Sequence, residues 1–209
     1  MKQNYIPTIN ISSLVSKDLT SKESLKIIKK IEKACVEVGF FQVIGHGIDH
    51  KKIKKIVKIG EKFFKLNKKE KIKLSPNKWN KKNKNFYRGY FPSDVNGKEG
   101  LDIGDLRVSE NFSQKIKNQY IECLDLEKCF QKNSISHLSS YYDDIYLLSE
   151  LLFKSIIKLY KKDPLLSGKA FSRFKTLSTL RFNFYPIQSK PVEISKQDGV
   201  ALGCETHVD

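Results

Sequence analysis

The 209-residue sequence has few of the features that mark secreted, membrane or zinc-binding proteins. Its four cysteines, Cys35, Cys123, Cys129 and Cys204, form no Cys-x-x-Cys pair and have no zinc-ribbon spacing. No apolar run approaches the length of a membrane span, and the N-terminus, MKQNYIPTINISS, has no continuous apolar segment of a secretory signal. The sequence therefore predicts a reduced, cytoplasmic chain without a membrane partner.

Arginine is scarce although the chain is strongly basic. The chain has 39 basic and 23 acidic residues and therefore a net charge of +16. Only four of the basic residues are arginines: Arg88, Arg107, Arg173 and Arg181. Reading of base edges relies on arginine forks, whereas lysines spread through every segment are typical of a solvated surface. A lysine coat is favoured, and a nucleic-acid-binding protein stays open as a less favoured alternative.

Hydrophobic residues are plentiful enough for a folded core. They make up 39% of the chain and include 13 Phe and 9 Tyr, which suits one sizeable core or a small helical domain beside part of a second domain.

Helical periodicity dominates the first part of the chain. Alternation over 6–11 predicts a short strand, and 21–38 predicts a helix with Leu25, Ile28, Ile31, Cys35 and Val38 on one face and Gly39 as its end. Residues 40–44 read as a short buried strand, 45–47 as a turn, and Asp49 as the cap of a further helix. That helix should bury Ile53, Ile56, Val57, Phe63 and Phe64 and expose the lysines of 51–73, with another short helix over 68–74.

The second part changes from loop to helix and then to strand. Residues 75–100 predict a long loop, 101–138 carry no clear pattern, and 140–161 form the strongest helical pattern, ended by Asp163-Pro164 and followed by a short helix near 167–174. In 178–185 the alternation places Leu180, Phe182 and Phe184 on one face and Arg181, Asn183 and Tyr185 on the other. Helices followed by strands predict an α+β fold.

The last residues contain a candidate metal-binding pair. On a strand, His207 and Asp209 would share one face, and an imidazole beside a carboxylate supplies two thirds of the two-His-one-carboxylate triad that binds iron(II). Because His-x-Asp is frequent by chance, the pair alone favours an ordinary polar strand end.

Several consecutive motifs resemble the isopenicillin N synthase-like 2-oxoglutarate/Fe(II) dioxygenases. In that family a strand with Asn-x-Tyr-Pro precedes a Gly-x-x-x-His-x-Asp strand, and the resemblance covers nearly all of the chain, with about 111–138 the weakest part. The motifs are 181–186 (RFNFYP), 202–209 (LGCETHVD), 6–10 (IPTIN), 34–48 (ACVEVGFFQVIGHGI), 68–71 (KKEK) and 89–92 (GYFP).

The resemblance implies a helical N-terminal domain over 1–125 and, over 139–209, the start of a catalytic double-stranded β-helix, or jelly roll, that is truncated here. It makes His207 and Asp209 iron(II) ligands and gives Asn183 and Tyr185 the task of holding the co-substrate 2-oxoglutarate. With O2, such an enzyme hydroxylates, desaturates or cyclises a small organic substrate. A monomer is expected.

Other polar residues are given structural roles. Arg181 could stabilise charge nearby or simply lie exposed, and His46 is interpreted as a capping or hydrogen-bonded residue of the turn. His50 and His137 are predicted at the surface, and Cys204 as a small buried side chain. The aromatic residues of the 75–100 loop are better interpreted as part of a packed surface loop than as the wall of a pocket. They are Trp79, Phe86, Tyr87 and Tyr90.

The third iron ligand and the Arg-x-Ser pair for 2-oxoglutarate, which the resemblance places later in the chain, do not occur in these residues. We therefore expect the 209 residues alone to bind iron(II) weakly and not to turn over. An alternative is a non-enzymatic remnant or interaction module. Reading the coding DNA beyond codon 209 separates the two, because a downstream His followed by Arg-x-Ser restores the enzyme.

Overall fold

The computed structural model describes residues 6–16, 18–92, 97–107, 124–158, 173 and 178–187, and in these residues helices and short strands are mixed. The chain divides into two compact units, one made of Met1–Ile53 and Tyr141–Thr176 and the other of Lys54–Ser140 and Leu177–Asp209. In chain order the elements are β1 (Thr8–Asn10), α1 (Ser12–Ser16), α2 (Lys22–Glu37), β2 (Gln42–Ile44), α3 (His50–Phe64), α4 (Lys68–Lys71), a 3₁₀ helix (Ile72–Leu74), β3 (Gly89–Phe91), β4 (Glu99–Gly104), a second 3₁₀ helix (Leu126–Lys128), α5 (Lys132–Ile157) and β5 (Thr179–Phe184).

The first unit is built around a parallel pair of strands. Strands β1 and β2 pair with Ile9 opposite Val43, and helices α1 and α2 bury apolar side chains beside β1. Residues of α5 complete this core. Its buried members are Ile9, Ile11, Leu14, Ile28, Ile31 and Ala34, with Leu148, Leu151, Leu152 and Ile156 of α5 packed against them.

Local capping signals set both ends of α2, and Gly39 ends the helix as predicted. The Ser21 hydroxyl accepts a hydrogen bond from the Ser24 N–H at 3.1 Å, which satisfies one of the free donors of the first turn. At the other end Gly39 takes a positive φ of 82° and donates its N–H to the Ala34 carbonyl at 3.0 Å. Glycine adopts this conformation without steric penalty, so it ends the helix cleanly.

The buried face of α2 differs from the predicted one. Ile28 and Ile31 are buried as predicted, whereas Leu25, Cys35 and Val38 are exposed, and Ser24 and Ala34 are buried instead. The buried stripe is thus rotated slightly relative to the prediction. Small side chains at Ser24 and Ala34 allow this rotation, because they let α2 lie close to its neighbours.

The strand over 40–44 exists but is not buried as predicted. Gln42 and Ile44 are exposed, as is Phe40, and Val43 alone of β2 is partly covered by the core of the first unit. Successive side chains of a strand point to opposite faces. One face of β2 is therefore exposed in the described part of the chain.

The turn after β2 agrees with the prediction. Gly45 and Gly47 have positive φ values of 71° and 79°, and His46 accepts a hydrogen bond through Nδ1 from the Ile48 N–H at 3.1 Å. Asp49 caps α3 by accepting from the Lys51 N–H at 2.8 Å. His46 thus has the structural role expected of it.

Helix α3 buries the residues that follow a 3.6-residue period. The buried positions are Ile56, Ile59, Gly60, Phe63 and Phe64. Val57, predicted to be buried, is 52% exposed. It lies about 100° around the helix from Ile56, beyond the edge of that stripe.

The sheet of the second unit has the order β3-β4-β5, and both strand pairs are antiparallel. Leu101 and Ile103 of β4 are fully buried and lie opposite Phe182 and Leu180 of β5. The 75–100 region was therefore wrongly predicted as a continuous loop, since it contains β3 and the first residues of β4. Both strands contain glycine, which is unfavourable inside strands, and for this reason the sequence pattern did not predict them.

A buried ion pair joins α4 to β4. The Lys71 ammonium contacts the Glu99 carboxylate at 2.5 Å and also donates to the Phe64 carbonyl at 3.3 Å. The Tyr90 hydroxyl donates to the same Glu99 oxygen at 2.7 Å. Lys71 was predicted to lie on a wet face. It is buried because the Glu99 carboxylate and the Phe64 carbonyl satisfy its charge inside the unit, and Tyr90 holds the carboxylate in place.

Asparagine side chains organise the segment between the first 3₁₀ helix and β3. The amide of Asn83 donates to the carbonyls of Lys73 and Ser75 at 2.9 and 2.7 Å. The amides of Asn80 and Asn85 donate to the Ile72 and Leu74 carbonyls, and Asn77 donates to the Asn83 carbonyl. These bonds satisfy the carbonyls left open at the end of the 3₁₀ helix. The segment is thus held without regular secondary structure.

Helix α5 begins eight residues before the predicted start at residue 140 and ends at Ile157, before the predicted end at 161. Leu138 in the added part is 1% exposed, and its burial holds a serine-rich stretch of weak helical propensity. The buried aromatic residues of α5 are Tyr142 and Tyr146.

Some predictions fall outside the residues that the structure describes. These are residues 159–161 of the helix predicted over 140–161, the helix end at Asp163-Pro164, the short helix near 167–174 (of which Arg173 alone is described) and Cys204. Within the described ranges, no helix is long and apolar enough to cross a membrane.

We predict that Gly89→Ala destabilises the chain far more than Gly39→Ala. Gly89 has a φ of 119°, and a Cβ there would overlap the Leu74 carbonyl oxygen, whereas Gly39 has a φ of 82° with no atom near the added Cβ. Gly39→Ala should lose about 1 kcal/mol from the left-handed backbone alone, and Gly89→Ala at least about 3 kcal/mol because of the added overlap. Urea unfolding of both variants measures this, and equal losses would contradict the geometry.

The Tyr90 hydroxyl should ionise later than exposed tyrosines. Burial and, to a smaller extent, the hydrogen bond to Glu99 raise the pKa of Tyr90. Because the folded pKa lies above the unfolded value of about 10, stability from the protonated phenol is present below pH ~10 and lost as the pH rises beyond it. Burial also raises the pKa of Tyr141, so an alkaline titration followed by tyrosinate absorbance should show late groups, one of which disappears in Tyr90→Phe. Ionisation of all tyrosines near pH ~10 in the folded chain would refute the prediction.

Candidate functional site

Strand β5 carries the residues that the sequence assigns to co-substrate binding, and its two faces differ as predicted. Arg181 and Asn183 are exposed, while Leu180, Phe182 and Phe184 are partly covered. The Phe184 ring stacks on Phe64 with centroids 5.0 Å apart. The apolar face of β5 thus packs against α3, which leaves the polar face accessible.

Gly60 explains how β5 comes so near to α3. A Cβ at this position would lie 2.7 Å from the Phe182 ring, closer than real Cβ contacts allow. The absent side chain therefore makes room for Phe182 between the helix and the strand. Asn183 directly follows Phe182, so the contact between Gly60 and Phe182 also fixes the distance between α3 and the polar face of β5.

Pairing with β4 fixes which residues lie beside the polar side chains of β5. Asn183 is opposite Gly100, Arg181 is opposite Asp102, and Thr179 is opposite Gly104. Two of the three partners lack a side chain. The surface next to Asn183 is therefore formed by the backbone of β4.

Asp102 binds Arg181 through two hydrogen bonds. Arg181 Nε donates to Oδ1 at 2.7 Å and Nη2 donates to Oδ2 at 2.6 Å. The hydrogen bond to Asp102 raises the pKa of Arg181, so the guanidinium is charged at any working pH. Of the two roles considered for Arg181, stabilising a nearby charge agrees with this contact, although its side chain is also exposed.

Asp102 was missed by the sequence interpretation. It is buried, and its partner lies 79 residues away along the chain. A lone carboxylate between Leu101 and Ile103, in a strand with glycine at both flanks, was the available signal. Such a residue requires a cation nearby, because an unpaired buried charge is strongly unfavourable.

Tyr185 lies one residue beyond the end of β5 and is 49% exposed. The Lys98 ammonium lies 5.8 Å from the centre of its ring, a distance at which a cation is attracted to the ring face. A positive charge therefore lies beside the exposed ring of Tyr185.

The metal ligands suggested by the sequence, His207 and Asp209, lie outside the described residues. Among the residues that the structure describes, no three histidine, cysteine, aspartate or glutamate side chains come together as a metal site would require. His50 is exposed, and the His137 ring nitrogen Nδ1 contacts the Asn133 carbonyl. Neither residue is part of a metal cluster.

Known proteins match the chain over long stretches. The family described as "non-haem dioxygenase in morphine synthesis N-terminal" matches residues 6–133. Isopenicillin N synthase of Streptomyces griseus is 29% identical over 212 residues, which covers 98% of this chain and 63% of that protein. A 2-oxoglutarate-dependent dioxygenase of Talaromyces stipitatus is 38% identical over 88 residues, or 42% of this chain and 26% of that protein. The chain thus spans less than two thirds of these relatives.

Solved structures share the fold. One is a 2OG-Fe(II) oxygenase family protein of Caulobacter crescentus, with a TM-score of 0.66 and 17% identity over 88% of this chain and 57% of that one. Another is the dioxygenase for auxin oxidation 1 of Arabidopsis thaliana, with a TM-score of 0.59 and 18% identity over 88% of this chain and 68% of that one. With the family match over more than half of its residues, the chain belongs to the non-haem dioxygenases that carry this N-terminal domain.

Proposed function

We propose that the protein to which this chain belongs is an Fe(II)- and 2-oxoglutarate-dependent oxygenase or oxidase acting on a small organic substrate. The observation that carries the proposal is the polar face of β5. There Arg181, Asn183 and the nearby Tyr185 are accessible, and the apolar face packs against α3. The reaction would be a hydroxylation, a desaturation or a ring closure.

The proposed architecture has a helical N-terminal domain over 1–125 and the beginning of a jelly roll over 139–209. Family membership and the shared fold of longer oxygenases support this division. We further propose that the protein is a cytoplasmic monomer and that the lysine-rich surface is a solvated coat without a nucleic-acid partner.

The side chains near the end of β5 suit a small dicarboxylate. The Asn183 amide and the Tyr185 hydroxyl can each donate a hydrogen bond, and Lys98 adds a positive charge beside Tyr185. Charge-assisted bonds from such donors to a carboxylate are strong. The names of the relatives support 2-oxoglutarate as the dicarboxylate, since one is a 2-oxoglutarate-dependent dioxygenase.

His207 and Asp209 are the proposed metal ligands. Their imidazole nitrogen and carboxylate oxygen are ligands that iron(II) accepts in the facial triad. Bound iron(II) would supply the activation of oxygen, for which protein side chains have no suitable chemistry. The protein would contribute the co-substrate contacts at Asn183 and Tyr185. We also propose that the 209 residues alone hold iron weakly, because two ligands from one strand leave it poorly enclosed.

In the protein encoded by the complete reading frame, His207→Ala and Asp209→Ala should each lower succinate formation from 2-oxoglutarate at least about 100-fold. Loss of a ligand removes much of the metal affinity. His50→Ala removes an exposed histidine and serves as the matched control. Full activity in either ligand variant would contradict the assignment, as would tight one-to-one iron(II) binding by the 209-residue chain.

Tyr185→Phe should raise the KM for 2-oxoglutarate about tenfold. It removes one hydrogen bond to a charged group, worth ~1.5 kcal/mol or more. The rate constant kcat should change less, because the contact exists in the ground state as well. Steady-state kinetics on the complete protein measure both, with Tyr87→Phe, an exposed tyrosine of the 75–88 segment, as control. An unchanged KM would remove Tyr185 from the co-substrate site.

A further inference from the structure

The ion pair between Arg181 and Asp102 is unequally exposed. The Arg181 side chain is 58% exposed and the Asp102 side chain 4%. The two residues lie directly opposite each other on β5 and β4. Asp102 therefore binds the guanidinium from the buried side of the pair. The N–H groups that Asp102 does not use are called the outer edge of Arg181, and much of this side chain is accessible to a ligand.

The paired guanidinium keeps donors for a further ligand. It has five N–H groups, and Asp102 uses one on Nε and one on Nη2. Among the described residues, no other acceptor contacts Arg181. Because the aspartate fixes the planar fork, a ligand would not have to immobilise a free arginine side chain, and less entropy would be lost on binding.

The surroundings of Arg181 favour a negatively charged ligand. The Arg88 guanidinium lies over Gly104 on the same face of the sheet, and Lys98 lies near Tyr185 at the far end of that face. Against these three cations stand the carboxylates of Asp102 and of Asp105, which directly follows β4. Gly100 lies between Phe91 of β3 and Asn183 of β5, and a Cβ on it would be in van der Waals contact with the Phe91 side chain at 3.8 Å.

We propose that the outer edge of Arg181 binds a carboxylate-type anionic group of the organic substrate, with Asp102 as the residue that positions Arg181. The proposal deepens the proposed function and rests on it, because it assigns the substrate class of the same site. An acid with an apolar part fits this face, since the Phe91 ring, with Trp79 edge-on at 5.6 Å, lies beside Gly100.

Distance along β5 separates this group from the co-substrate. Two residues of a strand span roughly 7 Å. A small dicarboxylate contacted by Asn183 and Tyr185 occupies that length, and Arg181 lies roughly another 7 Å further back. The shared chemistry is a carboxylate in either case, so an experiment has to distinguish the substrate from 2-oxoglutarate.

The test compares benzoate with benzamide, which has a similar shape and no charge. Both are titrated into iron-free protein, and backbone amide shifts of 179–185 are followed by NMR. We expect benzoate to bind at least fivefold more tightly than benzamide. Arg181→Gln should abolish this preference and Arg181→Lys should reduce it. Lys58→Gln, which removes one exposed positive charge of α3, should preserve it.

Asp102→Asn separates positioning from simple electrostatics. Removing a negative charge would strengthen benzoate binding if charge alone mattered. If Asp102 orients the guanidinium, benzoate binding should weaken severalfold although the net charge rises by one. Tighter binding in this variant would overturn the positioning role, and thermal unfolding shows which variants are folded. Should Arg181→Gln not fold, Arg181→Lys decides.

Titration with 2-oxoglutarate in the same variants distinguishes the two sources of the carboxylate. We expect Arg181→Gln to weaken benzoate binding more than 2-oxoglutarate binding. The opposite order would overturn the substrate assignment, as would equal binding of benzoate and benzamide by the unsubstituted chain. Since no iron or turnover is involved, failure here is distinguishable from failure of the proposed oxygenase activity, which succinate formation measures.

Discussion

Two carboxylates on opposite faces of β4 constrain the second unit. Glu99 is paired with Lys71 and Asp102 with Arg181, and both carboxylates are largely shielded from water. An unpaired charge in such a place is strongly unfavourable. Helix α4 and strand β5 are thus tied to β4 by charge as well as by packing. Because β4 is the central strand of the described sheet, the position of the polar face of β5 follows from these two pairs.

Local signals in the sequence predicted much of the secondary structure. The end of α2 at Gly39, the cap at Asp49 and the alternation in β5 depend on residues close together in the chain, and the structure has them as expected. The rotation of α2 was not predictable in the same way. Choosing between Ser24 and Leu25 as the buried residue depends on the elements that pack against the helix, and apolar periodicity tolerates an error of one residue.

Non-local pairing explains what the sequence did not predict. Strands β3 and β4 are short and contain glycine, and they become strands only through partners that lie elsewhere in the chain. The role of Asp102 was hidden for the same reason. Asn183 and Tyr185 were found through a family motif, and their co-substrate roles remain predictions, as do the ligand roles of His207 and Asp209.

The asparagine-held segment changes where the chain can accept substitutions. Loops normally tolerate sequence variation better than the elements they connect. Here Asn83 and Asn85 donate to main-chain carbonyls, and aspartate, though equal in size, would turn a donor toward these oxygens into a repelling acceptor. Deamidation would make the same replacement without any mutation. A segment without regular structure therefore has the sensitivity to substitution of a buried core.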